Sequence, residues 1–543
     1  MKIKLRLAPR AFTPSKISAL SALSPRLLLA GAALCAATAT PVLAQAFDAG
    51  DLLVSRSVYT GNASTVTIGQ ALPGGGTAVA NGSYPNVWQN ETPDPSFGVT
   101  SPIYLDQLTT GGTLVSSTNV TSALAGEGIS LSTSFSSKSE LALNLSTDGS
   151  AVTFMGYVSA PNTLDVSNSN TPGHVDPTNP VASTFQRAVA QVNANGSIEV
   201  TPVNTYSGNN GRAAILANGN YYMVGNAGNG SGTEPTNIVN NTGVQMTTPG
   251  GSANTTVVGQ QQGTPGSKNG FQYGFSVTQV GDAADKSGKD NNFRGVTVFN
   301  NTLYVTKGSG GNGINTVYQV GTSGTLPTAG TAASTAFSIL PGFSTTLASA
   351  SSGVSHPFGL WFANANTLYV ADEGDGTLTD LTNGKDPNSG LQKWSLVGGT
   401  WHLDYTLQTG LNLGQQYGVA NGPDGEVYPT SLDPATDGLR NITGKVNADG
   451  TVTIFGVTST VSSATDQGAD PNKLVAITDD LAFTTLAQAN GESFSTLETA
   501  GYGNVLRGVV FAPIPELETN AMLLGALAGA LVLARRFRQR KTA

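Results

Sequence analysis

The chain has 543 residues, with 26 Lys and Arg against 34 Asp and Glu and a formal net charge of −8. That balance excludes a basic footprint for nucleic acid. Only 11% of residues are charged and 67 are glycine, which suits an all-β protein with many turns. Disorder is the competing reading, and recurrent apolar alternation argues against it over most of the chain.

Residues 1–44 carry Lys2, Lys4, Arg6, Arg10, Lys16 and Arg26 and no acid. An apolar core, Leu27 to Leu34, precedes Val42-Leu43-Ala44, an acceptable cleavage site before Gln45. This is the layout of a secretory signal peptide. The only cysteine, Cys35, lies inside it, in the context Ala-Ala-Leu-Cys, which lacks the small residue that lipidation needs. A processed chain would therefore hold no disulfide and no thiolate metal site.

From residue 45 to 513 one pattern recurs: a short apolar strand, an Asn/Asp/Gly turn and a second apolar strand. Copies occupy residues 140–154, 212–225, 294–307, 358–372, 417–428 and 473–483, with starts 72, 82, 64, 59 and 56 residues apart. Outer hairpins are expected at 190–200, 393–403 and 445–455. A seventh copy is split. Arg507 to Pro513 matches the first strand of the copy at Arg294, and its partner strand is Asp51 to Ser55 near the other end. Ile103 to Leu108 and Thr113 to Val115 complete that sheet. Joining the two ends in one blade removes two free edges. The expectation is an all-β, seven-bladed β-propeller with a split closing blade. In pattern it resembles the NHL- and gluconolactonase-type propellers, a likeness of architecture and not of a catalytic motif. Segments 58–102, 161–184, 225–274 and 321–355 are polar and read as insertions on the ring faces. Tyr84 and Trp88 in the first are either ligand-stacking residues or local packing.

First strands of propeller blades line the central channel. Arg212, Arg294 and Arg507 hold equivalent places there, and His356 opens another copy. Three guanidiniums would form a site for carboxylate, sulfate or phosphate; the bland alternative is that each pairs with an Asp or Glu of a neighbouring blade and fixes blade packing. Asp372, Glu373 and Asp375 offer oxygens to calcium in a Gly-containing turn, with Asp424, Asp433 and Asp437 in the next copy. A solvated turn is the alternative, since the spacing is not that of an EF-hand. Calcium is the one cofactor this reading entertains. His174, His356 and His402 have no zinc-ligand spacing. No Gly-x-Ser-x-Gly elbow, P-loop or dinucleotide fingerprint occurs.

Residues 514–543 form a tail: Pro515-Glu516, an apolar run of 14 residues at 521–534, then Arg535, Arg536, Arg538, Arg540 and Lys541 around Phe537. As a helix the run covers about 21 Å of a hydrocarbon core of about 30 Å. Snorkelling arginines and Phe537 extend it, and the basic end is expected on the cytoplasmic side. The tail resembles the PEP-CTERM sorting signal of Gram-negative bacteria, with Leu517 where that family usually has Pro. The resemblance implies export, transient anchoring in the inner membrane by a transmembrane helix at 521–534, and processing by an exosortase-type enzyme. The leader holds six of the 26 basic residues and the segment after Glu518 five, with no acid in either, which leaves 15 against 34 acids and a net of −19 for residues 45–518.

Two readings of function follow. In the first, an exported cell-surface or matrix protein uses its propeller to bind exopolysaccharide or protein without catalysis. In the alternative, the propeller is a calcium-dependent hydrolase of the lactonase or phytase kind, which rests on architecture alone.

Overall fold

A computed structural model describes residues 46–59, 67–70, 77, 83–85, 97–135, 137–166, 186–206, 210–226, 243–259, 267–268, 271–272, 292–308, 313–348, 354–382, 386–462 and 468–514. The leader (1–44), Trp88, His174 and the tail residues Pro515, Glu516, Arg535 and Arg536 lie outside the described residues. Within them, no helix is long and apolar enough to cross a membrane.

The strand Leu52–Val58 joins the two ends of the body. It pairs antiparallel with Asn504–Phe511 on one side, Val54 opposite Val509, and with Ile103–Leu108 on the other. Leu114–Asn119 completes this closing blade. The split blade expected from the sequence is therefore present, with the strand nearest the C-terminus innermost.

Five further four-stranded antiparallel blades follow. The second comprises Asn144–Leu145, Ala151–Tyr157, Arg187–Asn193 and Ile198–Val203. The third comprises Gly211–Ala217, Asn220–Gly225, Gly243–Thr247 and Thr256–Val258. The fourth comprises Val296–Phe299, Thr302–Lys307, Thr316–Val320 and Phe337–Ile339. The fifth comprises Pro357–Asn364, Thr367–Asp372, Gly390–Val397 and Thr400–Leu407, and the sixth Ala435–Val446, Thr451–Val461, Lys473–Asp480 and Ser495–Thr499. The inner hairpins turn on residues suited to the task. Asn218-Gly219 and Asn300-Asn301 all adopt positive φ, as tight two-residue hairpin loops require.

Among the described residues the propeller has six blades, not seven. Two expected copies do not form blades of their own. Residues 417–428 form no strand: Gly422 N donates to Glu426 O at 2.8 Å, which closes a local turn around Pro423-Asp424. Residues 473–483 supply a single third strand, after which Phe483 N turns back to Asp480 O. The hairpin expected at the rim, 445–455, is instead the outer end of the innermost pair, Ala435–Val446 with Thr451–Val461. Its inner half carries Thr436, Asp437, Arg440 and Asn441, polar side chains that erase the apolar alternation by which a strand is recognised. Short outer strands also lie inside two expected insertions, where flanking Gly, Ser, Thr and Asn make them read as loop. Gly243–Thr247 and Thr256–Val258 lie in 225–274, and Phe337–Ile339 lies in 321–355.

The core is divided among the blade interfaces. Leu53, Leu105, Leu143 and Phe154 pack between the closing and second blades, and Met155, Val189, Ala214 and Met223 between the second and third. Ile215, Val224, Val296 and Val305 join the third to the fourth, and Val317, Leu360, Leu368 and Trp394 the fourth to the fifth. Tyr369, Leu391, Leu439 and Ile477 join the fifth to the sixth; Val54, Val457, Leu474 and Val509 close the ring. At about 1.5–3 kcal/mol for each fully buried large apolar side chain, every interface supplies several kcal/mol.

Polar latches run beside these cores. Ser55 Oγ donates to Leu141 O at 2.6 Å, Thr153 Oγ1 to Ala214 O at 2.6 Å, Thr306 Oγ1 to Phe358 O at 2.5 Å and Asn472 Nδ2 to Leu506 O at 2.8 Å. In each case a side chain on or just before the second or third strand of one blade grips a carbonyl on or just before the innermost strand of the next. Glycines allow that approach. A Cβ on Gly295 would lie 2.2 Å from Phe358 O, and one on Gly359 2.4 Å from Arg440 O.

Candidate functional site: a cationic channel

The inner strands bring the three predicted arginines to one ring, with each 4–5% exposed. Their partners settle what each guanidinium does locally. Arg212 Nε donates to Ser139 Oγ at 3.0 Å and Nη1 to Phe293 O at 3.1 Å, so this side chain spans three consecutive blades. Arg507 Nε donates to Ser57 Oγ at 2.8 Å, and its two terminal nitrogens hold the carbonyls of Phe135 and Ser137. Arg294 Nη2 lies 3.7 Å from Glu373 Oε1. The arginines therefore brace blades, but mostly through carbonyls and hydroxyls and not through the acids that the bland alternative supposed.

Sequence reasoning missed two cations and one acid of this ring. Arg440, on the innermost strand of the sixth blade, donates from Nε to Glu373 Oε2 at 3.2 Å. Its copy was misassigned, so its equivalence to Arg294 was hidden. Lys138, on the approach to the second blade, is partly exposed; burial first, with Arg440 and Arg294 adding to it and Glu373 opposing it, leaves its ammonium below the ordinary range. Glu140 accepts from Thr133 Oγ1 at 2.8 Å, Ser134 N at 3.2 Å, Asn210 Nδ2 at 2.7 Å and the Tyr157 hydroxyl.

Glu373 is the hub of the ring. Burial alone would raise its pKa; Arg294, Lys138 and Arg440 outweigh that and hold it at about 2. It stays ionised across the physiological range. Arg212 falls well below its usual value, by burial first and the field of Arg294 second. The channel wall thus sets Lys138, Arg212, Arg294, Arg440 and Arg507 against Glu140, Glu373 and Asp437, still a surplus of positive charge inside an acidic body.

The acids singled out for calcium do not converge. Asp372 accepts from His356 N at 2.8 Å, Gly374 N at 3.1 Å, Gln392 Nε2 at 3.2 Å and the Ser355 hydroxyl. Glu373 faces the cations. Asp375 is exposed and caps Thr377 N at 2.8 Å. Asp437 accepts Gly376 N at 2.9 Å, and burial drives its carboxyl well above the usual range. Asp424 is in the 417–428 turn and Asp433 follows a short 3-10 turn. Among the described residues no group of three His, Cys, Asp or Glu side chains could hold a metal ion. These residues do not fit calcium.

His356 lies beside the channel, partly exposed, at the entry to the fifth blade. Its carbonyl accepts Glu373 N at 3.0 Å and its Nδ1 is buried without a hydrogen-bond partner. His402 lies apart, on the outermost strand of that blade.

No protein-family model and no curated protein matches this chain.

Tyr84 is a packing residue. It is 8% exposed and lies in an aromatic cluster, with ring centroids 5.6 Å from Tyr59, 5.8 Å from Phe135 and Tyr428, and 4.6 Å from Tyr502. Ring-on-ring contact of this kind locks the loops of one face together.

Proposed function

We propose that this is an exported surface or matrix protein whose propeller binds an anionic polymer at its central channel. The single observation that supports binding is the surplus of cations on the channel wall, where Lys138 is the partly exposed member. In a narrow low-dielectric passage such a surplus attracts carboxylate or sulfate groups more strongly than it would in open water. An acidic exopolysaccharide has that chemistry and is met outside the cell. Export rests on the leader at 1–44. The tail at 514–543, with its Pro515-Glu516 element, 521–534 helix and Arg535-Arg536 end, acts in this reading as an exosortase-type sorting signal that anchors the chain in the inner membrane before release.

The test uses the purified protein with polygalacturonate as the acidic probe and dextran as the neutral one. Binding to polygalacturonate that weakens as salt rises, and that falls at least several-fold in Lys138→Met, is the expected result. Equal binding of both polymers, or none of the first, overturns the reading. Calcium-dependent turnover of a lactone or phosphate ester would replace it with the hydrolase alternative.

A further inference from the structure

Between the fifth and sixth blades, far from the cations of the channel wall, lies a second charged group that the proposed function does not use. Lys393, on Gly390–Val397, and Asp479, on Lys473–Asp480, are both fully buried, and Lys393 Nζ lies 2.8 Å from Asp479 Oδ2. The Lys393 ammonium also donates to Tyr405 Oη at 3.0 Å and Asp480 O at 2.6 Å. Tyr369 and Tyr405 hydroxyls donate to the two oxygens of Asp479. The Tyr405 ring centroid is 5.2 Å and the Tyr369 centroid 5.9 Å from Nζ, so aromatic walls seal the pair.

A third group completes the arrangement. Glu492 follows the short turn Gln488–Gly491, and its Oε1 accepts Asp480 N at 2.9 Å. Its Oε2 is buried and faces Asp479, an acceptor facing an acceptor, so the contact becomes a hydrogen bond only when Glu492 carries a proton. Burial first, then that contact with Asp479, pushes the Glu492 carboxyl up to about 7. Near neutral pH a large share of Glu492 carboxyls therefore carries a proton beside Asp479.

We propose that Lys393 and Asp479 join in an intramolecular isopeptide bond, with Glu492 as the proton carrier, which ties the fifth blade covalently to the sixth. A sealed ion pair of this kind is costly to keep charged, and proton transfer from ammonium to carboxylate gives the neutral amine and neutral acid that react. The amine lone pair of Lys393 attacks Cγ of Asp479. The C–N bond forms; protonated Glu492 hydrogen-bonds the developing oxyanion. Glu492 then moves a proton from nitrogen to the departing oxygen, the C–O bond breaks, and one water leaves. No oxidant or reductant is needed. The Tyr369 and Tyr405 hydroxyls position the acceptor carbon by holding its oxygens. The sequence context suits such a link, because the only cysteine lies in the leader and no disulfide can staple the body.

Trypsin digestion of the purified full chain reads the bond directly. If the bond forms, cleavage after Lys393 is blocked, and the peptide Asp386 to Arg440 appears joined to Leu474 to Arg507, lighter than their sum by one water. Glu492→Gln keeps the size and hydrogen bonds of the side chain but cannot shuttle a proton. It should yield a folded propeller with the two peptides separate and Lys393 cleaved. Separate peptides of unmodified mass in the parent protein refute the bond. A branched peptide that forms equally fast in Glu492→Gln refutes the role of Glu492. Neither outcome bears on polymer binding at the channel.

Discussion

Asp470 offers the sharpest test of how burial sets stability. Its side chain is 2% exposed, and Tyr428 Oη donates to Oδ1 at 3.1 Å. Burial, only partly offset by the hydroxyls of Ser462 and Tyr428, the charge of Arg440 and the hydroxyl of Thr460, pushes the carboxyl up to about 7. An unfolded Asp titrates near 3.9, and the gap is worth about 4 kcal/mol. Below about pH 4 the carboxyl is protonated in both states and the fold has its full stability from this group. Between about pH 4 and 7 the folded state keeps a proton that the unfolded state releases, so stability falls as pH rises. Above about 7 the loss is complete. Asp470→Asn places a neutral amide in the same space. Thermal and urea unfolding from pH 4 to 9 should show the variant close to the parent at pH 4. At pH 8 it should be more stable by about 3 kcal/mol, allowing about 1 kcal/mol for poorer hydrogen bonds. With an unfolding entropy of about 1 kcal/mol/K for a body of about 470 residues, that is a rise of about 3 °C. A variant that keeps the parent's slope between pH 4 and 7, or that is less stable at pH 8, refutes the reasoning.

Gly359→Ala should lower stability by about 1–3 kcal/mol in urea titration, because the new methyl meets Arg440 O at 2.4 Å and pushes the fifth and sixth blades apart. Arg507→Met should lower it by about 2–4 kcal/mol, since the buried carbonyls of Phe135 and Ser137 lose their donors; the same melts on Arg535→Met should match the parent. Removing residues 504–543 takes away the innermost strand of the closing blade and exposes the edge of Leu52–Val58. Light scattering should then show aggregation and calorimetry a loss of the cooperative transition, whereas removal of 515–543 alone should leave the propeller's transition unchanged.

The closing blade was readable because both halves carry short continuous apolar runs, Leu52–Val54 in one strand and Val509–Phe511 in the other. The inner hairpins of the third, fourth and fifth blades were readable for the same reason, and their Asn- and Gly-bearing turns fixed where each strand ends. The sixth blade was misread because its innermost strand carries the polar residues Asp437, Arg440 and Asn441, while the turn at 417–428 mimics a hairpin. Local pattern cannot distinguish a polar strand that lines a channel from a loop.

Arg212, Arg294 and Arg507 were legible as a set because they repeat at one position of one motif. Lys138 and Arg440 were not, and neither was the convergence of Lys393, Asp479 and Glu492, which come from segments far apart in the chain. By itself the sequence determined a β-propeller closed by its two ends, a cysteine-free body and a ring of arginines, since periodicity and composition act locally. Only the tertiary structure decided that there are six blades, that the arginines grip carbonyls and Glu373, and that a lysine and an aspartate meet in a sealed interface. Those outcomes depend on which strand faces lie opposite one another once the ring has closed, a long-range packing choice that no single segment encodes.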